Sequence, residues 1–205
     1  MLSQIQTHLE SIYRIEAPSV SEFLIDASQV LEVLGKDVRQ ADEWVLVREA
    51  EDGVDLAVFI AEEHLKMLRQ ANSLAHAAEI AFPSFCAATE GVSHFLMLVE
   101  RSRRTEPVSM LELEAQAEVD KFVCATLHHP SRSEEWWRRL FRETSLAEGL
   151  DVEEMERYEE AGRLAAAFCG ALTEEPHVDA FLRTLRSFWR KSGALRLEHM
   201  RRLAA

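Results

Sequence analysis

The stretch "TEGVSHFLMLVERSRRTEPVSMLELEAQAEVDKF", Thr89 to Phe122, sets seven carboxylates among apolar residues. At about 100° per residue, Val92, Phe95, Leu96, Leu98 and Val99 cover one broad side of a helix. Glu90, Ser93, His94, Met97, Glu100 and Arg101 occupy the other side. "RRTEPV" interrupts this pattern, and Ser109 with Glu112 then forms a capping box that starts a second helix. In that helix Met110, Leu111, Phe122 and Ala125 lie around one side with Glu114 and Glu118 among them, while Leu113, Val119, Val123 and Leu127 point elsewhere. Apolar residues almost all round predict a central, buried helix. With the turn centred near Glu106, an antiparallel pair brings His94 level with Glu118, Glu90 near Phe122 and Leu98 near Glu114.

Acids on a buried helix cost several kcal/mol each unless they are paired, coordinated or protonated, by the roughly known price of desolvating a charge. A Glu and a His four residues apart meet across one helical turn, and such pairs chelate metals in helical bundles. Glu90, His94, Glu114 and Glu118 therefore make a candidate ligand set suited to a divalent metal such as iron, manganese or zinc. The competing expectation needs no cofactor. Lys121 follows Glu118 by three residues, and Arg101 shares the face of Glu90 and His94, so the charges can satisfy one another as an ion network. A bundle di-metal site repeats Glu-x-x-His on two helices, and this pair carries no such repeat, which favours the network. A third expectation is a pocket that takes a small anion at Arg101 and Lys121.

Outward from this pair the chain reads as mainly α: a helical bundle of about seven or eight helices, with a small β-hairpin at about residues 44–60 in the N-terminal third. Leu2, Ile5, Leu9 and Ile12 predict an opening helix. In "PSVSEFLIDASQVLEVLG", Ser19 with Glu22 reads as a capping box, Val20, Phe23, Leu24, Ala27, Leu31 and Leu34 as one face, and Gly35 as the end. "WVLVRE" and "VDLAVFI" flank "AEDG", the hairpin, with Gly53 in the turn and no strong third strand. "AEEHLKMLRQANSLAHAAEIAF" reads as one helix before Pro83. Ser131 with Glu134 and Asp151 with Glu154 cap two more, and Pro176 suits the first turn of the last segment, which breaks near Gly193. The organisation is either one domain over 1–205 or an α+β part, 1–80, packed on a helical part, 81–205.

The 36 acidic residues outnumber 23 basic ones, giving a formal net charge of −13, which argues against nucleic acid as a partner. The charge is uneven. From Phe181 onward Arg183, Arg186, Arg190, Lys191, Arg196, Arg201 and Arg202 face one acid, Glu198, so this end carries +6 and the preceding 180 residues −19. Phe181, Leu185, Phe188 and Trp189 form an apolar stripe flanked by Arg183, Arg186 and Arg190. The stripe packs on the bundle, or it docks a protein partner, a second copy of the chain or a membrane surface. Trp136 and Trp137 diverge on a helix, so one belongs in the core and the other at a boundary. Three widely spaced cysteines, Cys86, Cys124 and Cys169, fit reduced core thiols. No membrane span and no signal peptide are expected, and the location expected is cytoplasmic. Arg outnumbers Lys nineteen to four, a bias associated with GC-rich bacterial genomes. No phosphate-binding loop, zinc-protease motif or nucleophile elbow occurs. The leading functional expectation is a non-catalytic interaction or regulatory protein, and the alternative is a helical-bundle metalloprotein, an oxidoreductase or hydrolase.

Overall fold

The computed structural model describes residues 1–35, 38–39, 41–50, 53–146, 149–175 and 177–205. Two long helices form its axis: α5, Phe82–Arg104, and α6, Met110–His128. Pro83 stands in the first turn of α5, where its missing N–H is harmless. Ser109 and Glu112 make the expected capping box at the start of α6. As the all-round apolar pattern predicts, α6 is central, packing on α5, on α7 (Ser133–Phe141) and on α8 (Val152–Thr173). Asp151 and Glu154 cap α8 reciprocally.

Among the described residues there are ten α-helices rather than seven or eight. The segment read as one helix before Pro83 divides into α3, Glu62–Leu68, and α4, Leu74–Ile80, because the Ser73 side chain accepts from His76 N and starts the helix anew. The chain end divides at Gly193, as expected, into α9, Val178–Trp189, and α10, Gly193–Leu203. The other opening element is α1, Leu2–Tyr13. Pro176 lies outside the described residues.

Residues 19–34 differ most from the sequence reading. Ser19 makes no capping bond, and Val20–Glu22 is a single 3-10 turn. Leu24–Ile25 is then a short strand, β1, and only Ala27–Leu34 is helix, α2. Asp26 caps it instead, accepting from Ser28 N and Gln29 N while the Gln29 side chain accepts from Asp26 N. Leu31, Val33 and Leu34 are 44%, 66% and 42% exposed, so the expected apolar face is not core there. The hairpin is as expected: β2, Glu43–Ala50, pairs antiparallel with β3, Gly53–Ile60, out to Ala50 opposite Gly53. Glu51 and Asp52 of the "AEDG" turn lie outside the described residues. The unexpected third strand, β1, pairs parallel with β3, Leu24 opposite Val58. Two residues carry too little periodicity to announce a strand.

The box expected from Ser131 and Glu134 is not formed, since Pro130–Arg132 is a 3-10 turn and α7 begins at Ser133 without a side-chain cap. Trp136 is fully buried, and Trp137 stands at the boundary, donating from Nε1 to Ala166 O. The C-terminal stripe is core. Phe181, Leu185, Phe188 and Trp189 are all buried within the chain, Trp189 stacked on Tyr13 at 4.3 Å and Phe188 on Phe168 at 4.1 Å. They therefore present no free apolar surface. Arg183 and Arg190 stay exposed, while Arg186 donates to Ile12 O of α1. Among the described residues, no helix is long and apolar enough to cross a membrane.

Candidate metal centre on the central helix pair

The i, i+4 spacing carries Glu90 and His94 to the same side of α5, and there they meet Glu114 of α6. One ligand atom from each of Glu90, His94 and Glu114 lies within 4.8 Å of the other two. His94 and Glu114 are 6% and 3% exposed. His94 Nε2 stands 3.5 Å from Glu114 Oε2, too far for a good hydrogen bond, and neither atom has a partner among the described residues. Buried polar atoms are nearly always bonded, and here two unbonded ones face one another.

Glu118, the fourth expected ligand, is not in this group. Its Oε1 accepts from Lys121 Nζ at 2.5 Å, and the same ammonium donates to Glu90 Oε2 at 3.1 Å. With Lys121 holding Glu118, His94 finds Glu114, one turn from the residue that counting back from Glu106 had set opposite it. Arg101 is also elsewhere. It lies about two turns further along α5 and donates to Glu106 and, at 2.7 Å, to Lys191 O, so it shares no charge with Lys121.

Three contributors come from outside the helix pair. Glu43, the first residue of β2, brings Oε2 to 3.9 Å from His94 Nδ1, on the opposite side of the ring from Glu114. That oxygen is buried and unpartnered as well. The carboxylate lies over Gly91: a Cβ there would stand in ordinary contact, 3.5 Å from Glu43 Oε2 and 3.5 Å from an Ile60 methyl group. From α8, Arg157 Nε lies 3.8 Å from Glu114 Oε1, and Tyr158 is its neighbour. The sequence had one signal for Glu43. A glycine inside a long helix costs about 1 kcal/mol and often marks a close approach by another chain segment.

Electrostatics match this crowding. Burial pushes the Glu43 carboxyl up to about 8; His94 opposes the shift, and Glu90 and Glu114 add to it. Burial alone would lower His94, but Glu114, Glu43 and Glu90 outweigh it and raise the imidazole to about 9. Burial opposes ionisation of Glu90 too, yet Lys121 and His94 hold it below the usual carboxylate range. With Glu43 holding its proton and His94 charged, Glu90, Glu114 and Glu118 are balanced by Lys121, Arg157 and His94. With both protons lost two negative charges remain, a sum that a divalent cation would balance.

A cleft of about 740 Å³ runs beside the cluster. Glu118, Lys121, Cys86, Trp137, Phe141 and Tyr158 are among the residues that line it. Burial drives the Cys86 thiol up to about 12, so at neutral pH it is an apolar lining group and no nucleophile. Lys121 thus touches both the cleft and Glu90, which gives the cluster a polar edge toward solvent. No protein-family model, curated protein or solved structure matches this chain.

Proposed function

We propose that the protein is a helical metalloprotein that binds one divalent cation, of the iron, manganese or zinc class, between Glu90, His94 and Glu114. One observation carries this reading: three ligating side chains converge within 4.8 Å, and buried His94 Nε2 and Glu114 Oε2 face each other without a hydrogen bond. One imidazole and two carboxylates suit borderline first-row cations. The interaction-module reading has less support, because its apolar contact residues are core of the same chain.

Elemental analysis of purified protein and titration with zinc, manganese and ferrous iron test the proposal. The expected result is about one cation per chain, abolished in His94→Ala and strongly weakened in Glu114→Gln. Binding should release a proton, since the imidazole must be neutral to ligate. Absence of stoichiometric binding of all three cations, with severe destabilisation by Lys121→Ala, would leave an ion network and no metal centre.

A further inference from the structure

The carboxylate of Glu43 is left over by the ligand set just described. It approaches His94 from the far side: Oε2 lies 3.9 Å from Nδ1, while Nε2 faces Glu114 at 3.5 Å. One ring thus has a carboxylate at each nitrogen, one from the α5–α6 pair and one from the sheet. A histidine that ligates through one nitrogen ordinarily donates its other N–H to a carboxylate, which fixes tautomer and ring direction and makes the ligand more basic. We infer that Glu43 is the positioning residue of the metal centre: its carboxylate accepts a hydrogen bond from His94 Nδ1–H, keeps Nε2 turned toward Glu90 and Glu114, and ties the β2–β3 hairpin to metal occupancy. This rests on the metal-binding reading above.

Three further observations support it. The Glu43 oxygen nearest the ring is buried and has no other partner among the described residues, so no competing bond must be broken. Closing the gap to hydrogen-bond length takes an advance of about 1 Å, within the reach of a glutamate rotamer. The approach runs over Gly91, where a Cβ would stand 3.5 Å from the carboxylate, in ordinary contact. Glu43 is also the paired partner of Ile60 at the end of the hairpin, and Ile60 packs against the same glycine. Any pull on Glu43 therefore acts on the first rung of the ladder. The effector of this coupling is the divalent cation itself.

The full chain is titrated with cobalt(II), whose visible absorption reports its ligand set, and with zinc followed by hydrogen exchange. Wild type, Glu43→Gln, Glu43→Ala and His94→Ala are compared. In Glu43→Ala the expected loss of affinity is about 10- to 100-fold, the size typical of outer-shell partners. In Glu43→Gln, whose amide oxygen still accepts from Nδ1, the loss should be smaller. The cobalt band should keep its position in both, because Glu43 is not a ligand, and metal-free stability should not fall. Zinc should slow exchange in β2 and β3 of wild type and leave the hairpin of Glu43→Ala unchanged. If wild type binds metal and Glu43→Ala binds it equally well, or shifts the cobalt band, the positioning role is overturned while the metal centre stands. If wild type binds no metal, both readings fall.

Discussion

Ser93 and His94 are neighbours on α5, about 100° apart, and they look into two buried polar clusters that solve the problem of buried charge differently. Ser93 donates to Asp120 Oδ2 at 2.6 Å. Tyr13 OH donates to Asp120 Oδ1, and Gln116 Nε2 donates to the same oxygen at 2.8 Å. Arg196, 1% exposed, donates to Gln116 Oε1 at 2.6 Å and to Trp189 O at 2.7 Å. This closed cluster joins α1, α5, α6, α9 and α10, and nearly all its contacts are at hydrogen-bond length. Around His94 the contacts are 3.5 and 3.9 Å, and His94 Nε2, Glu114 Oε2 and Glu43 Oε2 have no hydrogen-bond partner among the described residues. A filled network holds helices together; the open one leaves buried acceptors and a ring nitrogen unbonded. The neighbouring residues of α6 divide the same way, with Glu114, Glu118 and Lys121 toward the open cluster and Gln116 and Asp120 toward the closed one.

The largest effect is expected where the closed cluster is cut. Arg196→Met keeps length and removes five donors. Gln116 Oε1 and Trp189 O lose their partner, and Glu112, held 3.9 Å from both Arg101 and Arg196, loses half its compensation. Removing one member of a buried charged network costs about 3 to 5 kcal/mol. Urea denaturation measures it, and a loss under about 1 kcal/mol would make the closed cluster ornamental.

Next comes Gly193, where α10 begins. A Cβ there would lie 2.7 Å from Glu112 Oε2, and the carboxylate cannot swing freely between two arginines. Gly193→Ala should cost about 1 to 3 kcal/mol through overpacking. The cost should shrink in a Glu112→Ala background, which a double-mutant cycle reads directly.

How much of this was legible in the sequence follows from the distance over which each signal acts. The α5–α6 hairpin, the centrality of α6, the capping boxes at Ser109 and Asp151 and the β-hairpin are written in residues a few positions apart, and each stands in the structure. Counting back from Glu106 sets Glu118 rather than Glu114 opposite His94, so of this cluster helical geometry alone places only the Glu90–His94 pair. Glu43, Arg157, Tyr13, Asp120 and Arg196 could not be placed that way, because their partners come from elements far along the chain. The same applies to β1, a strand only by virtue of β3. The basic residues of the tail misled in an instructive way: a formal charge does not say whether an arginine faces solvent, and Arg196 is among the most buried side chains in the molecule.

A pH measurement sharpens the contrast further. Burial pushes Asp120 up to about 6 from its ordinary 3.8, against the pull of its bonds from Ser93, Tyr13 and Gln116. The folded protein then holds this proton more tightly than the unfolded chain. The stabilisation is complete below about pH 4 and is lost as pH rises through about 6. Wild type minus Asp120→Asn should therefore show stability falling by roughly 1 to 3 kcal/mol between pH 4 and 7. A flat difference would mean that the network keeps Asp120 ionised throughout.

The smallest expected effect is the most telling. Glu114→Gln removes a carboxylate as deeply buried as Asp120, from the same helix. In the closed cluster loss of an acceptor strands its donors. In the open one Glu114 Oε2 has no donor to strand, and its charge is set against Glu90 and Glu43 as much as against His94 and Arg157. Metal-free stability should change by no more than about 1 kcal/mol in either direction, since an isosteric amide gives up little attraction and relieves some repulsion. With zinc at a hundred times its dissociation constant, wild type should gain about 2.7 kcal/mol, and the variant should gain far less at the same concentration. Denaturation with and without zinc separates the two. A large loss in the metal-free variant would mean that Glu114 is already satisfied by its neighbours, and the difference between the clusters would disappear.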